Sequence, residues 1–454
     1  MTRPLHVFLR LAGAAAAKLS QAIAAARYFV LARRPPALRR AAPERRAPDG
    51  RLRLLVVTPF PPSLDGAHGG SRVISQFLAR MAERHDVALV CLRHPRDPKV
   101  DPLLRSRLAR VEEVERPDWS STSVRRLAGG LRTRLRLFVG TPLWACEVDV
   151  PACRKRLRTV LAEWRPDIVQ IEYTVMGTYL RELEGAGVPV VLVEPDPASH
   201  AALDLQRVSQ CNRLLRRLDV LAWKQFEPGV LHRVDAAVVY TERDARLLAD
   251  HTPEGVLSQI PFGTDFVERF TGANGTVEGA DVLFFGSFVH FPNVDAARRL
   301  KNAIFPLVRA RHPRSSLYIV GEDPPSEFEA TEDGGIVVTG RVADLKPYIT
   351  RAAVVAVPLR LGSGMRVKVL EALAAGKPVV ASPLAMEGLA VVDGEQFLTA
   401  ETDDEFAERI SLVLDDRDLR ARLGSGARAW AERNLTWEAT LDRFDELYKR
   451  LLGT

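Results

Sequence analysis

The chain repeats one local pattern, in which a short apolar segment ends at a Gly- or Pro-containing loop and a helical segment follows. Two series of this pattern are separated by a Gly-containing linker at about 264–280. Continuous apolar runs suit strands that helices cover on both faces, and alternating strands and helices predict right-handed βαβ units. With 454 residues there is material for two or more domains. The sequence therefore predicts an α/β chain with two doubly wound parallel sheets.

The predicted elements set the expected domain bounds. The first series has predicted strands at 54–57, 87–90, 167–171, 188–193 and 236–240. The second series has them at 282–285, 316–320, 336–338, 354–357 and 379–381. Helices are predicted, among others, at 71–84, 203–226 and 365–375. We expect a basic N-terminal segment (1–50), two Rossmann-like domains (51–265 and 276–435) and a C-terminal helical segment (436–454).

The positive charge of the chain is concentrated at its N-terminal end. The formal net charge is +7, yet residues 1–50 contain ten Lys or Arg and only two acidic residues. The remaining residues are close to neutral, and they contain neither a zinc-finger spacing nor an RNA-binding signature. We therefore expect no nucleic-acid partner.

The N-terminal segment predicts an Ala-rich helix over residues 5–32 that basic residues interrupt. It lacks the roughly 20 consecutive apolar residues of a transmembrane helix. Its charge density rises toward Arg46, unlike that of a cleaved signal peptide. Two interpretations stay open for residues 1–46: a basic helix that lies on an anionic membrane surface, or a solvated extension. We expect a cytoplasmic protein, which under the first interpretation attaches peripherally to the inner face of the plasma membrane.

The four cysteines are scattered along the chain and fit no metal-binding spacing. So few cysteines in a chain of this size are typical of a reducing compartment. We expect buried thiols and no metal site.

Ligands of a doubly wound sheet bind at the carboxyl ends of its strands, where this sequence has several suitable residues. Gly69 and Gly70 precede a predicted helix, where a bare backbone can approach an anion closely. The alternative is that this pair only makes a turn. In the second series, Gly286 and Ser287 follow the first strand, and Arg341 follows the third.

The densest group of such residues follows the strand at 354–357. A loop with Gly362, Ser363 and Gly364 leads into a predicted helix whose first turn contains Arg366 and Lys368. Phosphates are favoured at a helix N-terminus because free N–H groups and the positive end of the helix dipole meet there. The spacing is not that of a Walker loop.

Glu371 lies one turn further along this helix, where its charge disfavours phosphate. A carboxylate in that position suits the hydroxyl groups of a ribose. The alternative is a surface ion pair between Lys368 and Glu371 after a plain tight turn. The whole group together favours a nucleotide site.

At these residues the chain resembles the retaining glycosyltransferases of family 4, which have the GT-B fold. The resemblance is strongest over 354–382, which contains the motif PLRLGSGMRVKVLEALAAGKPVVAS, and is supported by the Gly69-Gly70 loop and by 282–300, 339–352 and 423–440. It covers about residues 52–450. It implies two Rossmann-like domains that face each other across a cleft, with a C-terminal helix that crosses back to the N-terminal domain.

The resemblance also implies an activity and a division of roles. The donor would be a UDP- or GDP-sugar, and a sugar of the hexose type would pass with retention to a glycan or lipid-linked acceptor in surface polysaccharide or glycolipid assembly. Glu371 would bind the ribose, Arg366 and Lys368 the diphosphate, and Gly70 would lie by the phosphates. Arg366 and Lys368 would also act in catalysis by stabilising the leaving diphosphate, with no further cofactor and no metal.

The sequence departs from the family pattern in three places. Ser363 stands where the family usually has the first residue of a Glu-x7-Glu pair. The family's Lys after the strand that ends before Gly286 is absent, with Asn293 nearby, and Arg366 is the candidate substitute. For the family's catalytic histidine of the N-terminal domain, the chain offers His200.

These departures keep two alternatives open. If Pro195 instead marks the loss of the histidine, the chain is a non-catalytic partner protein that binds nucleotide without turnover. A nucleotide-sugar epimerase of the same fold is the second alternative, and it would form product without an acceptor.

Overall fold

The computed structural model describes residues 50–63, 69–118, 130, 133–208, 213–270, 279–328, 335–362 and 366–453. The described residues form an α/β structure with two parallel sheets, as predicted. The predicted helix at 5–32 lies outside the described residues.

The first sheet has seven parallel strands in the order β3-β2-β1-β4-β5-β6-β7. Its strands are β1 (Arg53–Thr58), β2 (Asp86–Arg93), β3 (Arg110–Glu115), β4 (Ile168–Glu172), β5 (Val190–Glu194), β6 (Ala236–Val239) and β7 (Leu257–Gln259). Every residue of β4, β5 and β6 is buried, because helices cover both faces of the sheet. The strand order reverses direction between β1 and β4.

The helices that accompany this sheet follow its strands in the chain. They are α1 (Gly69–Arg84), α2 (Pro102–Arg107), α3 (Leu143–Val148), α4 (Pro151–Trp164), α5 (Leu180–Glu184), α6 (Ala198–Val208), α7 (Arg213–Leu231) and α8 (Glu242–Ala249). Within the predicted helix at 203–226, the structure gives helix up to Val208 in α6 and from Arg213 in α7, and residues 209–212 lie outside the described residues.

The second sheet has six parallel strands in the order β10-β9-β8-β11-β12-β13. Its strands are β8 (Val282–Phe285), β9 (Leu317–Val320), β10 (Ile336–Gly340), β11 (Val354–Val357), β12 (Val379–Ala381) and β13 (Leu398–Thr399). Again the order reverses once, between β8 and β11. Both sheets are therefore doubly wound.

The helices of the second half follow the same alternation. They are α9 (Phe266–Arg269), α10 (Phe291–Arg299), α11 (Phe305–Arg311), α12 (Lys346–Arg351), α13 (Val367–Ala374), α14 (Pro383–Met386), α15 (Asp403–Asp415), α16 (Arg417–Asn434) and α17 (Trp437–Leu452). Gly376 adopts a φ of 65° just after α13, which ends that helix in the left-handed conformation predicted for this glycine. Among the described residues, no helix combines the length and hydrophobicity that a bilayer span requires.

The described residues fall into two compact units. The first unit holds 50–63, 77–259 and 445–453, and the second holds 69–76 and 260–444. The first turns of α1 thus belong to the second unit, and the last turns of α17 belong to the first. There, Tyr448 donates a hydrogen bond to Gln170 Oε1 at 2.5 Å. This agrees with the predicted return of the C-terminal helix to the N-terminal domain.

The start of the second unit corrects the predicted linker at 264–280. Phe266, Val267 and Phe270 are buried, and Phe266 stacks on Phe270 with 5.6 Å between ring centroids. Residues 264–270 are therefore part of a packed unit. The glycines that suggested a linker lie further along, from 272 onward.

Candidate functional site

A cavity of about 540 Å³ opens in the second unit at the carboxyl ends of β8, β9 and β10. These strands lie beside the point where the strand order reverses, which is where a doubly wound sheet leaves a crevice for a ligand. The volume falls within the range of roughly 300–1,000 Å³ that is common for small-molecule sites. The cavity is large enough for a nucleotide.

Backbone hydrogen bonds fix the floor of this cavity. The N–H of Gly286 donates to Val320 O at 3.0 Å, and the N–H of Phe288 donates to Glu322 O at 3.1 Å. The Ser287 hydroxyl donates to Glu322 Oε1 at 3.1 Å. The loops after β8 and β9 are thereby held together, with Ser287 and Glu322 on the cavity wall.

Glu371, in α13, presents a carboxylate to the cavity although its residue is only 3% exposed. Its Oε1 accepts a hydrogen bond from Arg72 Nη2 at 3.3 Å. Its Oε2 is buried and makes no hydrogen bond within the part of the chain that the structure describes. Burial raises the pKa of Glu371, and the nearby charge of Arg72 opposes this rise. A buried acceptor without a partner beside a cavity suits the hydroxyl group of a ligand.

Lys368, also in α13, contacts side chains of α10 and β8. Its Nζ donates a hydrogen bond to Asn293 Oδ1 and lies 4.6 Å from the ring centroid of Phe284. Asn293 Nδ2 in turn donates to Ser287 O at 2.6 Å. Burial, and then the charge of Arg366, lower the pKa of Lys368 to about 7. Lys368 therefore titrates near neutral pH.

Arg366 is buried at the residue that precedes α13. Its Nη2 donates to Gly362 O at 2.9 Å, so its guanidinium braces the loop that leads into the helix. The helix was predicted to begin at Met365, and the structure begins it at Val367. Ser363 and Gly364 lie outside the described residues.

Gly69 begins α1 beside the beginning of α13. A Cβ added to Gly69 would lie 3.2 Å from Val367 Cγ2, so the two helix N-termini adjoin each other. Gly70 follows in the first turn. Further along α1, Arg72 and Gln76 form part of the cavity wall. Neither was predicted from the sequence, where their one signal is that they lie four residues apart in the helix that the glycine pair begins.

The cavity wall therefore includes part of the predicted site. The predicted residues on the wall are Gly286, Ser287, Arg341 and Glu371. The predicted residues placed elsewhere among those described are Gly69, Gly70, Gly362, Arg366, Lys368 and His200. All but His200 belong to the second unit.

His200 lies in α6 of the first unit, in the segment that follows β5. Its Nδ1 is 3.5 Å from Ser199 Oγ, which donates to Glu227 Oε2 at 2.5 Å. Glu194, the last residue of β5, is buried, and burial raises its pKa well above the usual value. Its carboxylate also accepts hydrogen bonds from the backbone and hydroxyl of Thr174. The carboxyl edge of the first sheet thus has buried acids that the sequence analysis did not single out.

The thiols that the structure describes all lie in the first unit. Cys91, Cys146 and Cys153 are buried, and the Cys146 thiol lies 3.7 Å from Thr141 O. Burial raises the pKa of Cys153 to about 12, which leaves this thiol protonated and unreactive. Within the described ranges, His, Cys, Asp and Glu form no group of three or more that could hold a metal ion.

Two doubly wound parallel sheets, with a ligand cavity at the carboxyl edge of the second, define a protein of the GT-B class. The family model described as "Glycosyl transferase 4-like domain" matches residues 68–263, and the one described as "Glycosyl transferases group 1" matches residues 279–416. Together the matches cover most of the chain. The chain belongs to the group 1 glycosyltransferase family.

Known proteins resemble the chain in sequence and in fold. The D-inositol 3-phosphate glycosyltransferase of Geodermatophilus obscurus is 31% identical over an alignment of 252 residues, which covers 49% of this chain and 54% of that protein. The chain thus spans about half the length of this relative.

Two solved structures cover nearly the whole fold. Sucrose-phosphate synthase from Thermosynechococcus elongatus superimposes with a TM-score of 0.61 at 17% identity, covering 89% of this chain and 100% of that one. Anabaena HepE, solved with UDP and glucose, gives 0.58 at 15% identity, covering 87% and 99%. At these identities the likeness establishes the fold.

Proposed function

We propose that the chain is a retaining glycosyltransferase that moves a sugar from a nucleoside diphosphate to a hydroxyl group of a glycan or lipid-linked acceptor. The observation that supports this most is Glu371, a buried carboxylate with one oxygen lacking a partner among the described residues, on the wall of a nucleotide-sized cavity. HepE, which shares the fold, was solved with UDP and glucose. A UDP- or GDP-sugar is the proposed donor.

In the proposed complex, each part of the donor has its own group of residues. The ribose hydroxyls donate to Glu371, and the base lies against the loop after β10, which begins with Arg341. The diphosphate lies at the adjoining N-termini of α1 and α13. Arg366 and Lys368 supply positive charge there, and helix N–H groups add to it.

The proposed step exchanges one bond of the anomeric carbon for another. The bond from this carbon to the terminal phosphate oxygen breaks, and a bond to the acceptor oxygen forms on the same face of the sugar. The acceptor proton passes to the leaving diphosphate. Negative charge grows on the diphosphate as the old bond lengthens, so cations already fixed beside it lower the barrier.

The acceptor side of the proposal rests on the first unit. We propose that residues 51–265, apart from the first turns of α1, bind the acceptor and that 276–435 together with those turns bind the donor. Residues 1–46, with their excess of positive charge, would attach the enzyme to the inner face of an anionic membrane. A lipid-linked acceptor in surface polysaccharide or glycolipid assembly would be presented at that surface.

Calorimetric titration with UDP, GDP and their sugars tests the donor site. We expect one nucleotide to bind selectively and the Glu371→Ala variant to lose most of that affinity. Glu327→Ala is the matched control, because Glu327 is an exposed carboxylate that pairs with Arg298 away from the cavity wall. If the folded protein binds neither nucleotide, the donor proposal is wrong, whereas nucleotide binding without any turnover would favour the non-catalytic partner protein.

Product analysis then tests the reaction. With donor and an acceptor panel, nuclear magnetic resonance of the anomeric proton should show the configuration of the donor retained in the product. An isomerised donor sugar formed without any acceptor would instead identify an epimerase. Inversion at the anomeric carbon would contradict retention while leaving the donor site intact.

A further inference from the structure

Arg72 occupies an unexpected position for a residue of α1, since it forms an ion pair with the carboxylate assigned to the donor ribose. Its Nη2 lies 3.3 Å from Glu371 Oε1. Both side chains lie on the wall of the cavity. The Glu371 side chain is 4% exposed and that of Arg72 is 29% exposed. The carboxylate of the pair is therefore buried, whereas the Arg72 side chain is partly exposed at the cavity.

This ion pair competes with one of the two ribose hydroxyl groups. The first can donate to Glu371 Oε2, which has no hydrogen bond among the described residues, but the second reaches Oε1 only by displacing a charged donor, which makes a stronger hydrogen bond than a neutral one. A nucleoside alone offers nothing that compensates Arg72 for the loss of its carboxylate partner. A nucleoside diphosphate offers an anion.

The place proposed for that anion is within reach of Arg72. Gly69 adjoins Val367, which brings the N-termini of α1 and α13 together. Arg72 follows Gly69 by three residues and Glu371 follows Val367 by four, each about one helical turn or ~5.4 Å along its axis. A guanidinium can swing between a carboxylate and a phosphate over that distance without any change in the backbone of α1.

The other cations near the site leave a role for Arg72. Arg366 is engaged with Gly362 O and Lys368 is only partly protonated at pH 7 in the empty site, whereas the Arg72 guanidinium adds a further charge that persists throughout the physiological range. Arg269, on the same wall, already pairs with Asp344 at 2.8 Å. Arg72 differs from Arg269 because it pairs with Glu371, the carboxylate that is proposed to bind the ribose.

We propose that Arg72 exchanges partners during donor binding: it pairs with Glu371 in the empty site and with the diphosphate of the donor in the filled site. The exchange rests on the proposed donor site. It makes the site selective for diphosphates, because phosphate releases the carboxylate that the ribose needs. Free nucleosides are disfavoured even though they contain the base and the ribose.

The test compares a nucleoside with its diphosphate in the Arg72→Gln variant. Uridine with UDP, and guanosine with GDP, are titrated into the full chain by calorimetry. Removing the guanidinium frees Glu371, so the nucleoside should bind more tightly, by about threefold or more. The diphosphate should bind more weakly, by about tenfold or more, because a charged hydrogen-bond donor is lost. An exchange of partners predicts that the affinities for nucleoside and for diphosphate change in opposite directions.

Two further variants complete the test. Arg72→Lys keeps the charge, and we expect it to recover part of the diphosphate affinity while nucleoside binding returns toward that of the wild type. Arg298→Gln removes a surface guanidinium that pairs with Glu327, and both affinities should stay as in the wild type.

The outcomes separate this inference from the proposed function. If the wild type binds UDP or GDP but Arg72→Gln shifts nucleoside and diphosphate in the same direction, or shifts neither, the exchange is overturned and the donor site stands. A uniform loss would mean that Arg72 only holds Glu371 in place. If the wild type binds no nucleotide at all, both the proposed function and this inference fail.

Discussion

A Cβ added to Gly321 would lie 1.8 Å from the carbonyl oxygen of Gly286, so the loops after β9 and β8 meet through their backbones alone. The atom in the way belongs to the main chain and cannot rotate aside. The N–H of Gly286, which donates to Val320 O, ties the same two strand ends together. Glycine is therefore required at residue 321 for the floor of the cavity to close.

We expect Gly321→Ala to force the two loops apart. The added methyl group should lower the free energy of unfolding by about 1–3 kcal/mol, the usual cost of overpacking, and weaken nucleotide binding at the same time. Urea denaturation and UDP or GDP titration measure the two effects. Gly130→Ala is the control, because a Cβ there meets no atom of the described residues within 4 Å. Unchanged stability and affinity in Gly321→Ala would show that the loops have room to separate.

We expect Arg366→Ala to lower kcat/KM by about 30-fold to 10³-fold, which corresponds to the roughly 2–4 kcal/mol that one fixed donor contributes to a charged transition state. The guanidinium also braces the loop through Gly362 O, so Arg366→Lys should recover activity only in part. Arg360→Ala is the control from the same loop, since its mostly exposed side chain pairs with Asp295. An Arg366→Ala enzyme with the kcat/KM of the wild type would remove this residue from the mechanism.

Donor binding should take up a proton at Lys368. The pKa of Lys368 is lowered to about 7 by burial and then by Arg366, so the empty site loses this charge as the pH rises through about 7. A diphosphate favours the ammonium form and raises its pKa in the complex. Affinity for the nucleotide sugar should therefore fall as the pH rises from 7 to about 9.

Calorimetry in buffers of different ionisation enthalpy measures this uptake directly. The nucleotide sugar is the correct probe because its diphosphate does not titrate in this range. We expect uptake of about half a proton at pH 7 in the wild type and none in Lys368→Met. Equal values for the two proteins would mean that Lys368 does not change its protonation on binding.

The central strands could be predicted from the sequence because burial on both faces leaves them uniformly apolar. The predicted 282–285 and 354–357 coincide with β8 and β11, which are bounded by Gly286 and Pro358. The outer strands could not be predicted in this way. In β3, which reads RVEEVE, only Val114 is buried and four of the six residues are charged, because an edge strand meets solvent. The strands β7 and β13 are too short to form a pattern.

The residues of the candidate site also fall into those that the local sequence predicts and those that only the structure brings together. Residues that follow a strand end, such as Gly286 and Arg341, could be placed at the cavity because the carboxyl ends of parallel strands share one edge. The pairing of Arg72 with Glu371 joins residues 299 positions apart, and no local pattern connects them. Likewise, the sequence places Asn293 near the position of a lysine that the family has and this chain lacks. Only the structure shows that the Asn293 amide bridges Lys368 and Ser287.

The end of α17 should stabilise the first unit in a pH-dependent way through Asp445. Its carboxylate accepts hydrogen bonds from His85 Nε2 at 2.7 Å and from Arg84 Nη1 at 2.9 Å. Burial alone would raise the pKa of Asp445, but these two partners outweigh it and lower the pKa below the usual 3.8. A lowered pKa in the folded state means that the stabilisation is present above the unfolded pKa and is lost as the pH falls through the folded pKa.

We therefore expect Asp445→Asn to reduce the free energy of unfolding at pH 7 by about 1–3 kcal/mol, as for hydrogen bonds to charged groups. The difference from the wild type should shrink once the pH falls below about 4. Urea denaturation at several pH values measures both quantities, with Glu446→Gln, an exposed acid on the same helix, as the control. A loss that is equal at pH 7 and pH 3 would show that the shape of the side chain matters there and its charge does not.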